Sequence, residues 1–278
     1  VIKEAQPFLK WAGGKRQLLS EIRKYVPNDF GTYYEPFVGA GAVLFDLQPT
    51  RAVINDVNEE LVNAYQVIRD DVESLIADLE QHENTSDYFY DIRNLDREGE
   101  YRQLSNTKRA SRLIYLNKTC FNGLYRVNQK GQFNVPFGKY KNPNIINADV
   151  LRAVHRYLHE NEVMIHNQDF EKVVEKAKAG DFVYFDPPYD PVSTTASFTS
   201  YSLDGFGKKE QERLRDVCIE LDQRGCYIVV SNSATDYVKE LYKHFHIEIV
   251  GATRNINSVA TKRGKIEEVL VMNHVPRA

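Results

Sequence analysis

The residues best suited to chemistry are Asp186, Pro187, Pro188 and Tyr189, which follow the apolar run 181–185, Asp-Phe-Val-Tyr-Phe. Such a run reads as a buried strand, and open α/β sheets bind ligands at the carboxyl ends of their strands. Consecutive prolines offer no N–H and fix φ, so the carbonyls before and at Pro187 turn outward. A carboxylate, a carbonyl and an aromatic ring therefore converge. The set suits a planar heterocycle with an exocyclic amino group: Asp186 and the Pro187 carbonyl accept its two N–H bonds while Tyr189 stacks on its face. The plainer alternative is a strand-ending turn with a surface tyrosine.

An element earlier in the chain would supply a second ligand. Tyr33 to Ala42 reads as a strand, a Gly39-x-Gly41 turn and the start of a helix that runs to Leu47, the first half of a nucleotide-type α/β unit. Leu44 stands where the dinucleotide fingerprint needs its third glycine, which favours an adenosine ligand without phosphates over a pyrophosphate. The next strand, Ala52 to Ile54, ends in Asn55-Asp56, and an acid at that tip is placed to hold both ribose hydroxyls. Gly13-Gly14-Lys15 before a helix from Arg16 to Val26 brings backbone close to an anion such as a carboxylate, and Trp11, the only tryptophan, could cover an apolar ring.

The elements that must position these residues follow from periodicity. Helical patterns cover Glu59 to Leu79, Asp87 to Leu95 and Ser105 to Lys118, and the alternating stretch Gly123 to Pro136 turns at Asn128 to Gly131 as a hairpin would. A helix from Asp149 to His159, a strand from Val163 to His166 ending at Asp169-Phe170, and a helix from Glu171 to Lys178 lead into the central strand. The Ser- and Thr-rich stretch Asp190 to Gly207 reads as a flap over the pocket. A helix from Lys208 to Arg224, a strand from Cys226 to Ser231, a helix from Thr235 to His244, and strands His246 to Thr253 and Ile266 to Asn273 complete an α/β chain.

Charge is unevenly distributed. Residues 56–100 hold fourteen acidic side chains against three basic ones, whereas residues 101–148 hold nine basic side chains, no acidic one, and seven aromatics. The second stretch is expected to face phosphates, with the basic connection Arg254 to Lys265 as a second candidate. The chain-wide sum of -3 conceals this. Hydrophobic residues at 42% and charged residues at 27% exclude a disordered chain, and no apolar run is long enough to span a bilayer. Three cysteines with neither redox nor metal spacing, and an apolar-poor Val1 to Gln6, lead to the expectation of a cytoplasmic protein. His155 and His159 have metal-ligand spacing but no third partner nearby, so no metal is expected.

In order along the chain, Lys10-Trp11-Ala12-Gly13-Gly14-Lys15, Phe37-Val38-Gly39-Ala40-Gly41, Asn55-Asp56, Phe121 to Asn128, Phe137 to Tyr140, and Asp186-Pro187-Pro188-Tyr189 resemble the DNA adenine-N6 methyltransferases of the Dam type, alpha class, in the D12 class N6-adenine family. The resemblance spans nearly the whole chain. It implies a Rossmann-like S-adenosylmethionine-dependent fold with a mixed sheet over residues 1–56 and 160–278, and an inserted helical target-recognition subdomain with a β-hairpin over residues 57–159. It implies S-adenosylmethionine as methyl donor, no metal, and as acceptor an adenine flipped out of duplex DNA within 5'-GATC-3', the chemistry of DNA methylation and of restriction-modification. A monomer is expected. By resemblance Asp186, Pro187 and Tyr189 are catalytic. Trp11, Lys15, Phe37, Gly39, Gly41, Asp56, Asp169, Phe170 and Asp186 match cofactor positions. Lys10, Leu124, Arg126, Asn128, Pro136 and Tyr140 match positions that read or orient the site, with Lys139 beside them, and Phe121 and Asn122 match those that fill the gap left by the flipped base. Methylation of cytosine N4 or of RNA would use the same pocket, and a non-enzymatic DNA-binding module would account for the basic stretch but not for Asp186 to Tyr189 together with Asp56.

Overall fold

The computed structural model describes residues 4–11, 18–193, 205–253 and 265–275. The chain divides into two compact units, one of residues 1–15, 38–50 and 56–167, the other of residues 16–37, 51–55 and 168–278.

The second unit contains six strands of a seven-stranded mixed sheet: β1 (Tyr33–Glu35), β2 (Arg51–Asn55), β4 (Phe182–Phe185), β5 (Tyr227–Ser233), β6 (His246–Thr253) and β7 (Lys265–Met272), in the order β2-β1-β4-β5-β7-β6. The first four strands of that order run parallel, and β7 lies antiparallel to both β5 and β6. All four residues of β4 are buried, as a central parallel strand covered on both faces requires. Beside the sheet pack the helices Phe170–Val173 and Lys208–Gln223, through Phe170, Val173, Leu214, Val217, Cys218 and Leu221, all in one core cluster with Val183 and Phe185.

The helix expected over 171–178 ends instead at Val173. The Arg224 guanidinium donates to the carbonyls of Val174, Glu175 and Ala177 at 3.0, 3.2 and 3.0 Å, and one side chain thereby satisfies three carbonyls that a longer helix would have used.

The first unit is mainly helical and carries the seventh strand, β3 (Glu162–His166). Its longest helix, Glu59–Leu79, is capped by the Asn58 Oδ1, which accepts Leu61 N at 3.1 Å, and buries Leu61, Ala64, Tyr65, Ile68, Val72, Leu75, Ile76 and Leu79 at helical spacing. The helices Ser86–Asn94, Asn106–Thr119 and Ala148–Glu160 begin at Thr85, Ser105 and Asn147, each accepting a backbone N–H as an N-cap. His155 donates to, or is oriented by, the Ile68 carbonyl at 2.9 Å and stacks on His159, a helix-to-helix contact. Among the described residues no helix is long and apolar enough to cross a membrane.

His82 sits in this unit between the Tyr88 hydroxyl at 2.8 Å and the Ser111 hydroxyl at 2.7 Å, stacked on Tyr115, with Asp78 at 3.8 Å. Burial lowers its pKa from 6.5, with Asp78 opposing, so the folded chain holds the ring neutral where the unfolded chain takes up a proton. Its contribution to stability is therefore complete above pH 6.5 and is lost as pH falls from there through the folded-state value, with a slope of at most about 1.4 kcal/mol per pH unit. Urea unfolding of wild type and His82→Gln at pH 7.5 and 5.5 checks this: the wild type is expected to lose more stability on acidification than the variant.

Candidate active site

The strand end that carries Asp186 lies in the second unit. The parallel register pairs Phe185 with Val230, which sets the following residues, Asp186 and Ser231, side by side. The Ser231 hydroxyl donates to Asp186 Oδ1 at 2.9 Å and also meets the Tyr184 hydroxyl at 3.0 Å. Because the serine proton goes to the carboxylate, Tyr184 must donate to Ser231. Burial, then the Asp186 charge, raises the Tyr184 phenol well above its usual range, so it keeps the proton this relay needs. Asp186 itself is half-buried, as are Pro188 and Tyr189, while Pro187 is buried.

Beyond the prolines the backbone is held by a buried polar network. Gln211 Nε2 donates to the Pro188 carbonyl at 2.8 Å, Gln211 Oε1 accepts from Asn232 Nδ2 at 3.1 Å, and Asn232 Oδ1 accepts Asp190 N at 2.9 Å. Asp190 in turn accepts from the Thr235 hydroxyl at 2.7 Å. No described residue donates to the Pro187 carbonyl, which leaves it able to accept from a ligand. Sequence reading identified the acid and the aromatic but missed Ser231, Gln211 and Asn232. A hydroxyl and an amide at the end of an otherwise apolar strand, Ser231-Asn232, were the available signal.

The same unit gathers Phe37, Phe170 and Phe206, with ring centroids 5.4 Å apart for Phe37–Phe170 and 5.7 Å for Phe37–Phe206. Phe170 is 3% exposed and lies under the Arg213 guanidinium, 4.3 Å from the ring centroid. Asp169 forms a two-pronged ion pair with Arg213 at 2.6 and 2.8 Å and accepts Glu171 N, and the Arg213 hydrogen bonds hold its carboxyl below the usual range. Phe206 and Arg213 were not expected from the sequence. The segment 194–204 of the expected flap and the basic connection at 254–264 lie outside the described residues, as does Lys15.

In the first unit the glycine turn is built as its residue types require. Gly39 and Gly41 have φ of 52° and 79°, and a Cβ on Gly41 would lie 2.8 Å from both the Phe45 ring and the Tyr65 hydroxyl. The Gly39 carbonyl accepts from Tyr65 at 2.8 Å, and its N–H donates to Asp56 Oδ2 at 3.1 Å. Asp56 Oδ1 accepts Asn58 N at 3.0 Å, so both carboxylate oxygens are fixed by backbone. Trp11 lies against Gly39: a Cβ there would be 3.1 Å from the indole Cδ1. Leu44, at the position of the third glycine, is fully buried.

The expected DNA-facing residues are also in the first unit. Lys10 is exposed, with its backbone pinned by Asn117, which accepts Lys10 N at 2.9 Å and donates to Lys10 O at 2.6 Å. Val127 and Phe133 form an antiparallel bridge, and Asn134 N donates to Arg126 O at 3.0 Å, so the hairpin forms. The Asn128 amide is taken up by the turn, with Oδ1 accepting Lys130 N and Gln132 N and Nδ2 donating to Gln132. Its place is therefore to shape the tip. Arg126 is exposed and steadied across the hairpin by Asn134 Oδ1 at 2.8 Å. Phe121, Leu124 and Tyr140 are large apolar side chains left exposed at 50, 41 and 41%, and the Tyr140 hydroxyl accepts Asn122 N at 2.9 Å. Pro136 and Lys139 are exposed beside them.

Not every base of the cationic stretch faces outward. Arg109 pairs with Glu60, Arg112 with Asp96 at 2.9 Å, and Arg102 with Glu59 at 3.7 Å, so part of that stretch neutralises the acidic one before it. Arg126, Lys108, Lys130, Lys139 and Lys141 are the exposed remainder available to phosphates.

Comparison with known proteins gives one consistent result. The family model described as D12 class N6 adenine-specific DNA methyltransferase matches residues 11–256. The type II methyltransferase M1.LlaDCHI of Lactococcus lactis subsp. cremoris is 47% identical over 97% of this chain and 95% of its own length. The type II methyltransferase M.MjaIII of Methanocaldococcus jannaschii is 42% identical over 98% of this chain and 100% of its own. A DNA adenine methylase of Serratia marcescens is 35% identical over 98% and 99%.

Proposed function

The chain belongs to the D12 class N6 adenine-specific DNA methyltransferases, and from that premise we propose that it moves a methyl group from S-adenosylmethionine to N6 of an adenine flipped out of duplex DNA within 5'-GATC-3'. The observation that carries the catalytic reading is the hydroxyl relay onto Asp186, beside a Pro187 carbonyl to which no described residue donates. Family membership removes the reasons for a cytosine-N4, RNA or purely DNA-binding reading. The names of the type II relatives favour a modification enzyme of a restriction-modification pair.

The first-unit turn supports the choice of donor. The pyrophosphate fingerprint places a third glycine where buried Leu44 stands, whereas Asp56, at the tip of the second strand and held by two backbone N–H groups, has the place of an acid that accepts from a ribose diol. We assign Trp11, Gly39, Gly41 and Asp56, with Phe37, Asp169, Phe170 and Asp186, to this ligand. When bound, S-adenosylmethionine supplies a methyl carbon made electrophilic by its sulfonium.

The rest is the work of the chain's own groups. Adenine's amino nitrogen is a weak nucleophile because its lone pair is delocalised into the ring. Acceptance of its two protons by Asp186 and by the Pro187 carbonyl draws the nitrogen toward tetrahedral geometry and aims the lone pair away from the ring plane. The Ser231 hydroxyl donates to Asp186 Oδ1 and so helps to orient the carboxylate. A strong base is not required, since the proton on the methylated nitrogen is acidic. Tyr189 replaces the stacking that the flipped base loses, and Phe121 and Asn122 enter the space it vacates. Residues 57–159 serve as the target-recognition region.

Methylation of plasmid DNA, followed by hydrolysis to nucleosides, tests the reaction: N6-methyldeoxyadenosine is the expected product, and N4-methyldeoxycytidine in its place would overturn it. Nucleases that do and do not cut methylated 5'-GATC-3' test the site. Protection at a different sequence would retain the chemistry and replace the specificity.

Arg126 and Lys139 separate reading from holding. Arginine can bond a guanine edge through two N–H groups, so Arg126→Ala should weaken the cognate duplex by about 1 to 3 kcal/mol and relax discrimination at one base pair. Lys139→Ala should weaken all duplexes alike and reduce the logarithmic salt slope by about one. Titration of one cognate and several single-substitution duplexes at a few salt concentrations checks both. A uniform loss for Arg126→Ala would make the hairpin a phosphate clamp.

A further inference from the structure

Tyr125 stands between Leu124 and Arg126 on the hairpin, yet it faces away from the surface they share. Its ring stacks on Trp11, with centroids 5.1 Å apart and planes 29° from parallel, and also meets Phe133 of the opposite hairpin arm at 5.7 Å. Trp11 in turn rests on Gly39, whose N–H holds Asp56. Asn58 N also donates to Asp56 Oδ1 at 3.0 Å, so the same acid is tied both to the glycine turn and to the start of the helix Glu59–Leu79.

Both ends of this path are anchored. The hairpin backbone is gripped at Phe133, whose N–H goes to Asp96 at 2.7 Å and whose carbonyl accepts from Arg97 at 2.7 Å. Asp96 is also the partner of Arg112 on the helix Asn106–Thr119. On the other side, Asn117 of that helix clamps Lys10, the residue before Trp11, and donates to Gly123 O at 3.3 Å. A displacement of the hairpin on seating in DNA therefore has a packed aromatic route to the turn that holds Asp56, and little slack elsewhere to absorb it.

We propose that Tyr125 is a positioning residue that couples reading of the DNA site by the hairpin to the S-adenosylmethionine pocket, acting through its stack on Trp11. The assignment rests on the reading above that the hairpin contacts DNA and that Trp11 and Asp56 hold the donor. Leu124 and Arg126 report the sequence outward, and Tyr125 reports the same event inward. Correct DNA then tightens the donor, and by reciprocity the donor tightens correct DNA.

The test is a thermodynamic cycle on the full chain. Calorimetry gives the dissociation constant of S-adenosylhomocysteine, the donor's demethylated form, which stands in for the donor without turnover, for wild type, Tyr125→Phe and Tyr125→Leu, each free, saturated with a 5'-GATC-3' duplex, or saturated with a duplex carrying one substituted base pair. In wild type the 5'-GATC-3' duplex should tighten the donor about tenfold more than the substituted duplex does. Tyr125→Phe keeps the ring and should keep the difference. Tyr125→Leu should abolish it while DNA-free donor affinity stays within about threefold of wild type. Emission from Trp11, the sole tryptophan, is a second readout: adding the 5'-GATC-3' duplex without donor should shift it in wild type and Tyr125→Phe but not in Tyr125→Leu. The proposal is overturned if Tyr125→Leu retains the tenfold difference, if wild type shows none, or if Tyr125→Leu weakens the donor equally with and without DNA, as loss of a merely structural ring would. Absence of donor binding or of methyl transfer in wild type would instead sink the functional reading and the coupling with it, whereas their presence with an unchanged difference in Tyr125→Leu sinks the coupling alone.

Discussion

Replacing Asp186 with alanine should lower methyl transfer by about three to four orders of magnitude while leaving duplex affinity within about threefold of wild type. The variant loses one of the two acceptors proposed to hold the target amine and leaves the Ser231 hydroxyl without the carboxylate it donates to at 2.9 Å. Binding should survive, because the exposed cations and aromatics assigned to DNA belong to the first unit and Asp186 to the second. Ser231→Ala removes only the orienting bond and should fall between, at about tenfold. Single-turnover methylation with pre-bound DNA measures both. Near-normal turnover by Asp186→Ala would remove the acid from the mechanism. A Ser231→Ala variant as inactive as Asp186→Ala would show that the relay carries more than orientation.

Asp56→Ala should weaken S-adenosylmethionine by about 30- to 150-fold, or about 2 to 3 kcal/mol. Loss of the proposed bonds to the ribose hydroxyls is one part of the expected effect. The other is structural, since the same carboxylate accepts Gly39 N and Asn58 N and so ties the glycine turn to the start of the helix Glu59–Leu79. Asp56→Asn keeps one oxygen acceptor and should recover part of the loss. Calorimetry without DNA reads these affinities directly, and unchanged binding in Asp56→Ala would move the donor to another part of the chain.

The fold was legible where pattern and packing agree. The helix Glu59–Leu79 and the buried run of β4 announce themselves because one carries apolar residues at helical spacing and the other carries them without a break. The helix expected over 171–178 was misread because its pattern is helical, and only a residue about fifty positions later, Arg224, takes the carbonyls that would have continued it. Candidate residues were legible where a single residue type is chemically demanding, as with Asp186, Asp56 and the paired glycines. Ser231, Arg213 and Tyr125 were not, because each acts by touching a residue distant in sequence: Asp186, Asp169 and Trp11. The charge of residues 101–148 was legible as a sum but not as a surface, since Arg109 and Arg112 are spent on Glu60 and Asp96 inside the unit.

All three cysteines are buried. Burial raises the thiols of Cys120 and Cys226 to about 11 and that of Cys218 further still. At neutral pH almost none of the reactive thiolate is present, and none of it is at the surface. The native chain is thus a silent background for thiol chemistry, and a single cysteine introduced at exposed Lys130 on the hairpin tip would accept a fluorophore or spin label there alone. The hairpin's movement during target search could then be followed on single molecules without first stripping the protein of its own sulfhydryls.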